Sequence, residues 1–172
     1  MPGHGRIFRG VLFSAVLLTG LCAFAGPDDG ETAPRFHAKT LTGETFNNDS
    51  VRGKVVLLQF WTTWCPYCRG EQSLVDDIQR EFADKGLVVL AIDVGESKKT
   101  VKKYLTDHPR SCRIVLNDDT NLAAMYAASV YPIYVVIDRN GDIAGTQRGA
   151  SGERGLRRLL STAGIRPDRP AD

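Results

Sequence analysis

Two cysteines stand two residues apart in "FWTTWCPYCRGE", Phe60 to Glu71. Such a pair can serve as half of a metal site, as a structural disulfide, or as a carrier of electrons. The flanking residues bear on the choice. "KVVLLQFW", Lys54 to Trp61, is a continuous apolar run of strand length, the pattern of a strand covered on both faces. Pro66 suits the first turn of a helix. Leu74, Val75, Ile78 and Phe82 then recur with helical spacing until Lys85-Gly86 ends the run. Cys65 therefore falls at a helix start, where unpaired N–H groups and the peptide dipoles favour negative charge. That environment stabilises a thiolate, the nucleophile of disulfide exchange. A free cysteine titrates near ~8.5, and helix-start CxxC cysteines fall to ~7 or below. Cys68, one turn on, can reach back to Cys65, so the pair can close and open a disulfide.

The competing uses stay open on ligand and loop arithmetic. A zinc site usually takes four ligands in two close pairs, and the extra candidates here are Cys112 and His108, without a second CxxC. A purely structural bridge across so short a loop stabilises little. Electron transfer gains from a second feature, Pro132 immediately before the apolar run "IYVVID". An ordinary trans proline at a strand entrance is the commoner case, whereas a cis Tyr131–Pro132 bond would make a tight turn that could pass beside the CxxC and offer Tyr131 backbone groups to an extended peptide.

The elements that must position these residues alternate along the chain. Short extended pieces flank a Thr-Gly-Glu turn in "RFHAKTLTGETFNNDSVRGK", a hairpin pattern. After the CxxC helix come a buried strand "LVVLAIDV", a Ser-capped helix "SKKTVKKYLTDH", a strand "CRIVLN" and a short helix "DDTNLAAMYAA" with acidic caps. Strand "IYVVID", the turn Arg139–Asp142, strand "IAGTQRG" and a closing helix "SGERGLRRLLSTAG" complete the order. This predicts an α/β fold, a central mixed β-sheet flanked by helices, with an N-terminal β-hairpin extension.

Together these stretches resemble the thioredoxin superfamily, and more closely its TlpA/ResA-like branch of exported thiol–disulfide oxidoreductases, from about Pro34 to Leu160. "GKVVLLQFWTTWCPYCRGE" is similar to the family's strand, Trp-Cys-x-x-Cys and following glutamate. "AIDVGESKKTVKKYL" is similar to its next strand and helix, and "SVYPIYVVIDRNGDI" to its cis-proline loop, strand and turn. The resemblance implies a thioredoxin-like fold with a central insertion and a cis Pro132 packed near the Cys65–Cys68 dithiol. It implies a reductant of protein disulfides outside the cytoplasm, often in cytochrome c maturation, recharged by a membrane thiol transporter of the DsbD or CcdA type. Glu71, three residues after Cys68 and on its helix face, stands where the resemblance implies a glutamate that tunes the cysteines in ResA-like proteins, the alternative being a solvent-facing helix glutamate. A buried carboxyl there would have a raised pKa and could relay a proton from Cys68. Trp64, Pro66 and Tyr67, with Tyr131 and Pro132, are the candidate partner-binding rim. Two departures concern partner identity: Gln72-Ser73 stand where the family has an apolar residue and proline, and Tyr131 is bulky. Glu96, in "GES", reads as a loop or helix-start acid. Cys112 reads as a buried small hydrophobe.

The exchange mechanism requires no cofactor or metal. Its direction is not fixed by sequence, since a dithiol oxidant or isomerase uses the same residues. A peroxiredoxin-type peroxidase would want a proline where Leu58 stands, although Thr62 is suitably placed. A binding module braced by the disulfide is the reading from a different class.

The remaining residues bound the setting. The chain has 172 residues, enough for one domain with a buried core, and four cysteines, too few for a disulfide-built scaffold. Formal net charge is +2 with no basic block, which argues against nucleic acid as partner. Arg6 and Arg9 precede the apolar "VLFSAVLLTGLCAFA", which ends in Ala-Phe-Ala. Residues 1–25 are thus expected to be a signal peptide or an N-terminal membrane anchor, removing Cys22 in the first case. Residues 26–34 are expected to be a linker, 35–165 a thioredoxin-like domain and 166–172 a flexible tail. Location in the periplasm or cell envelope, action as a monomer, and exported proteins with oxidised cysteines as partners, apocytochrome c among them, complete the expectation.

Overall fold

The computed structural model describes Met1 and residues 27–167. The apolar segment read as an export signal, Cys22 with it, and the end of the tail lie outside the described residues. Among those described, no helix is long and apolar enough to cross a membrane.

Seven strands form one mixed sheet. In chain order they are β1 (His37–Thr40), β2 (Thr45–Asn47), β3 (Val55–Trp61), β4 (Leu87–Asp93), β5 (Arg113–Thr120), β6 (Ile133–Ile137) and β7 (Ile143–Arg148). The helices are α1 (Pro66–Phe82), α2 (Lys98–Asp107), α3 (Leu122–Met125) and α4 (Gly152–Thr162). Across the sheet the order is β2-β1-β5-β4-β3-β6-β7. β3, β4 and β5 run parallel, while β6 lies antiparallel to β3 and β1 antiparallel to β5.

β3 and β4 hold the centre, and every residue in both is buried. A strand with a neighbour on each side and covered on both faces has no solvent side, which is why these segments read as unbroken apolar runs. Each Val, Leu or Ile so buried contributes about 1.5–3 kcal/mol. One face packs Val75, Ile78 and Phe82 of α1, Val101 of α2 and Leu156 and Leu160 of α4 against Leu57, Val89 and Val136. The other packs Leu122 of α3 and the N-terminal Phe36 and Val51 against Leu58, Leu90 and Val135.

Two differences from expectation have physical causes. Asp118, Asp119 and Thr120 belong to β5 rather than to a helix start, because β1 offers them an edge. Ala38 pairs with Thr120, whose hydroxyl donates to the His37 carbonyl at 2.8 Å. The helix that follows is correspondingly short. Residues 30–33, within the stretch read as a linker, lie on the β6–β7 hairpin. Gly30 N–H donates to Ile143 O, Ala33 N–H to Gly141 O, and Ala33 is buried.

Candidate active site

β3 delivers the chain at the C-terminal end of the parallel strands, and α1 begins immediately after a four-residue turn. Cys65 is the N-cap of α1 and Pro66 its first residue. The backbone of Cys65 is extended, and its Sγ accepts the Cys68 N–H at 3.1 Å, satisfying one of the otherwise unpaired donors of the helix start. The two sulfurs are joined in a disulfide, with Cα atoms 5.3 Å apart. They are not equivalent: Cys68 is fully buried, whereas Cys65 keeps 3% of its surface open.

The loop before β6 comes alongside. The Tyr131–Pro132 peptide is cis, as the family resemblance implied, and the Tyr131 carbonyl oxygen lies 3.7 Å from Cys65 Sγ. Pro132 O accepts the Gly149 N–H, but among the described residues neither backbone polar group of Tyr131 has a backbone partner. Trp64 stands edge-on to the Tyr131 ring with centroids 6.1 Å apart. Trp64, Tyr67 and Val130 are the large apolar side chains exposed in the body of the fold, and by chain position they flank the disulfide and the cis-proline loop. Five of the predicted rim and reactive residues are therefore brought together here: Cys65, Cys68, Trp64, Tyr131 and Pro132. Pro66 and Tyr67 complete the turn between the cysteines. Val130 went unnoticed in sequence, an isolated exposed valine having no periodic signature.

Glu71 is buried, not solvent-facing. Its Oε2 accepts from the Tyr134 hydroxyl at 2.7 Å, and its Oε1 accepts the Ser151 and Gly152 N–H groups at 2.9 and 2.6 Å. The carboxylate thus caps the start of α4. A buried polar chain continues from it. Gln59 Nε2 donates to Tyr134 Oη at 3.2 Å, Arg110 donates to Gln59 Oε1 at 3.3 Å, and Arg110 Nε donates to Asp76 Oδ2 at 3.0 Å. The Tyr134 phenol is pushed up by burial and by the adjacent Glu71 carboxylate, so it stays a donor. Arg110 also lies over the Trp61 ring, 5.6 Å from its centroid. These members were missed because each sits alone in the sequence; the sheet and α1 assemble them.

Two acids close the other side. Glu96 binds Thr63 twice, accepting its N–H at 2.5 Å and its hydroxyl at 2.6 Å. It therefore ties the loop carrying Cys65 to the β4–α2 connection. Asp93 ends β4 fully buried, and burial followed by the Glu96 carboxylate pushes it up to about 8. An acid closing an otherwise apolar strand, as in "LVVLAID", is the signal that marks it in sequence. Cys112 is buried at the edge of β5 with its thiol pushed up to about 12 by burial, while its N–H donates to Asp76.

Residues 30–146 match the model of the AhpC/TSA family. The thioredoxin-like protein YneN of Bacillus subtilis is 33% identical over 138 residues, covering 78% of this chain and 80% of that protein. The thiol-disulfide oxidoreductase ResA of Bacillus subtilis is 28% identical over 152 residues, covering 81% and 85%. Among solved structures, a Chlorobium tepidum protein assigned as a thiol:disulfide interchange protein DsbE superposes with a TM-score of 0.72 at 26% identity. That match covers 80% of this chain and 99% of that one.

Proposed function

The chain belongs to the AhpC/TSA family and is a thiol–disulfide oxidoreductase of thioredoxin-like fold, and from that premise we propose that its Cys65–Cys68 pair reduces protein disulfides outside the cytoplasm. The observation that carries this reading is the asymmetry of the two sulfurs. Cys65 caps the helix and accepts a backbone N–H, and it is the less buried of the two, at 3% against 0% for Cys68.

In the reduced protein the Cys65 thiolate attacks one sulfur of a partner's disulfide. A Cys65–partner S–S bond forms, the partner's own S–S bond breaks, and the departing sulfur takes up a proton. Cys68 then loses its proton and attacks Cys65 Sγ. The mixed bond breaks, the second partner thiol leaves, and two electrons have passed to the partner. A thiol donor reverses the sequence by attacking Cys65, the less buried of the two. Trp64, Pro66, Tyr67 and Val130 supply apolar contact for the partner chain. The unpaired Tyr131 backbone is available for strand-like pairing with it. Glu71 contributes a carboxylate one helical turn behind Cys68. Among the described residues its Oε2 accepts only the Tyr134 hydroxyl and so retains acceptor capacity for a proton from that sulfur.

The apolar, Ala-Phe-Ala-ended N-terminal segment and the ResA relatives support action in the cell envelope, with residues 1–25 as export signal or anchor. Apocytochrome c is the client proposed, and a DsbD- or CcdA-type membrane thiol transporter the electron donor. Expressing Cys68→Ala in the envelope and identifying proteins held on Cys65 tests the proposal. Trapped apocytochrome or other oxidised exported proteins are expected. A midpoint potential as oxidising as a dedicated oxidant, near −120 mV, would overturn the reducing direction.

A further inference from the structure

Asp93 is the acid that the exchange mechanism leaves unused. It is 0% exposed, and neither carboxyl oxygen has a well-formed hydrogen bond among the described residues, the Glu96 N–H offering it only slight relief. A charged carboxylate so placed is costly, and the ordinary relief is to remain protonated. The groups around it make the same demand. β3 presents Trp61 and β5 presents Leu116 at its level, neither of which titrates. The β4–α2 connection presents the Glu96 carboxylate, and the loop before β6 presents the Tyr131 phenol, itself pushed up by burial and by Asp93. No cation is among the groups acting on Asp93.

Both neighbours lead to the disulfide. Glu96 holds the N–H and hydroxyl of Thr63, two residues before Cys65. The Tyr131 carbonyl lies against Cys65 Sγ. A carboxylate is what the two Thr63 donors require, so of the two acids Glu96 is the charged one and Asp93 the neutral one.

We propose that Asp93 and Glu96 hold one proton between them, and that this proton keeps the Thr63 clamp, and so the loop bearing Cys65, in place. Losing it puts two negative charges side by side, one of them fully buried. The charge that can move away is Glu96, and moving it releases Thr63. Asp93 is thus a positioning residue whose ionisation loosens the reactive turn on the alkaline side of neutrality. The inference extends the exchange reading above by naming a control on the same site.

The test follows isotope-labelled wild-type protein by NMR. The Asp93 carboxyl carbon is expected to titrate near pH 8, with the Thr63 amide resonance moving at the same midpoint. In Asp93→Asn the Thr63 amide should stay flat across that range. In Glu96→Gln the Asp93 midpoint should fall, since its like-charged neighbour is gone. Asp93 titrating in the ordinary carboxylate range near ~4 overturns the proposal, as does a Thr63 step that persists in Asp93→Asn. The wild-type measurement needs no variant to fold. Alkylation of Cys65 in reduced wild-type protein at pH 7 separates the two readings. An inert Cys65 overturns the exchange function without touching the carboxyl pair, whereas a reactive Cys65 with a motionless Thr63 overturns the pair alone.

Discussion

Cys65 and Cys112 share one apolar core, and their surroundings give them opposite chemistry. Cys65 receives a backbone N–H at a helix start, whereas burial above all, with Asp76 adding to it against the pull of Arg110, holds the Cys112 thiol near 12 and therefore protonated. After reduction, a small alkylating reagent at pH 7–8 is expected to label Cys65 in native protein. It should reach Cys112 only once the chain is unfolded, as peptide mass spectrometry would show. Rapid native labelling of Cys112 would contradict the burial argument. The difference was partly legible in sequence. The CxxC, the proline after its first cysteine and the strand before it locate the reactive pair, and Cys112 at a strand entrance reads as a buried hydrophobe. Nothing in sequence brings Gln59, Arg110, Tyr134 and Glu71 into one hydrogen-bonded chain, because those contacts depend on the register of β6 against β3 and on where α1 lies across both.

At the level of elements, α1 and α4 are joined through one carboxylate. Glu71 occupies the two N–H groups at the start of α4, so the helix carrying the cysteines and the closing helix share a fixed spacing. Gly155 protects that junction. A Cβ built there would fall 2.4 Å from both Cβ and Oγ of Ser151, the residue whose N–H binds Glu71. Gly→Ala in a helix ordinarily stabilises by up to about 1 kcal/mol. Here Gly155→Ala should instead destabilise by about 1–3 kcal/mol through overpacking, read from denaturant midpoints at unchanged slope. Adding Ser151→Gly should recover much of the loss. Helix α4 was recognisable from its spacing of leucines, but its tie to α1 was not. A glutamate three residues past a cysteine looks the same whether it faces water or another helix end. The start of α3 shows the same limit, since Asp118–Thr120 carry cap-like side chains and yet complete a strand wherever β1 supplies an edge.

The whole molecule carries a pH dependence traceable to Asp93. Its folded pKa lies near 8, against 3.8 for the ordinary group. Below the lower value both folded and unfolded chains are protonated and nothing distinguishes them. Between the two values only the folded state keeps the proton, so stability declines as pH rises, by up to about 1.4 kcal/mol per unit. Relative to wild type, Asp93→Asn should therefore gain stability progressively from about pH 4 to pH 8. Urea melts at pH 4, 6 and 8 would show it, and a constant offset would refute it. A last consequence concerns orientation. Because β6 runs against β3, its entrance beside the cysteines and its exit into the Arg139–Asp142 turn lie at opposite poles of the sheet. Residues 30–33 are fastened at that far turn. The described chain therefore enters the fold at the pole opposite its sulfurs.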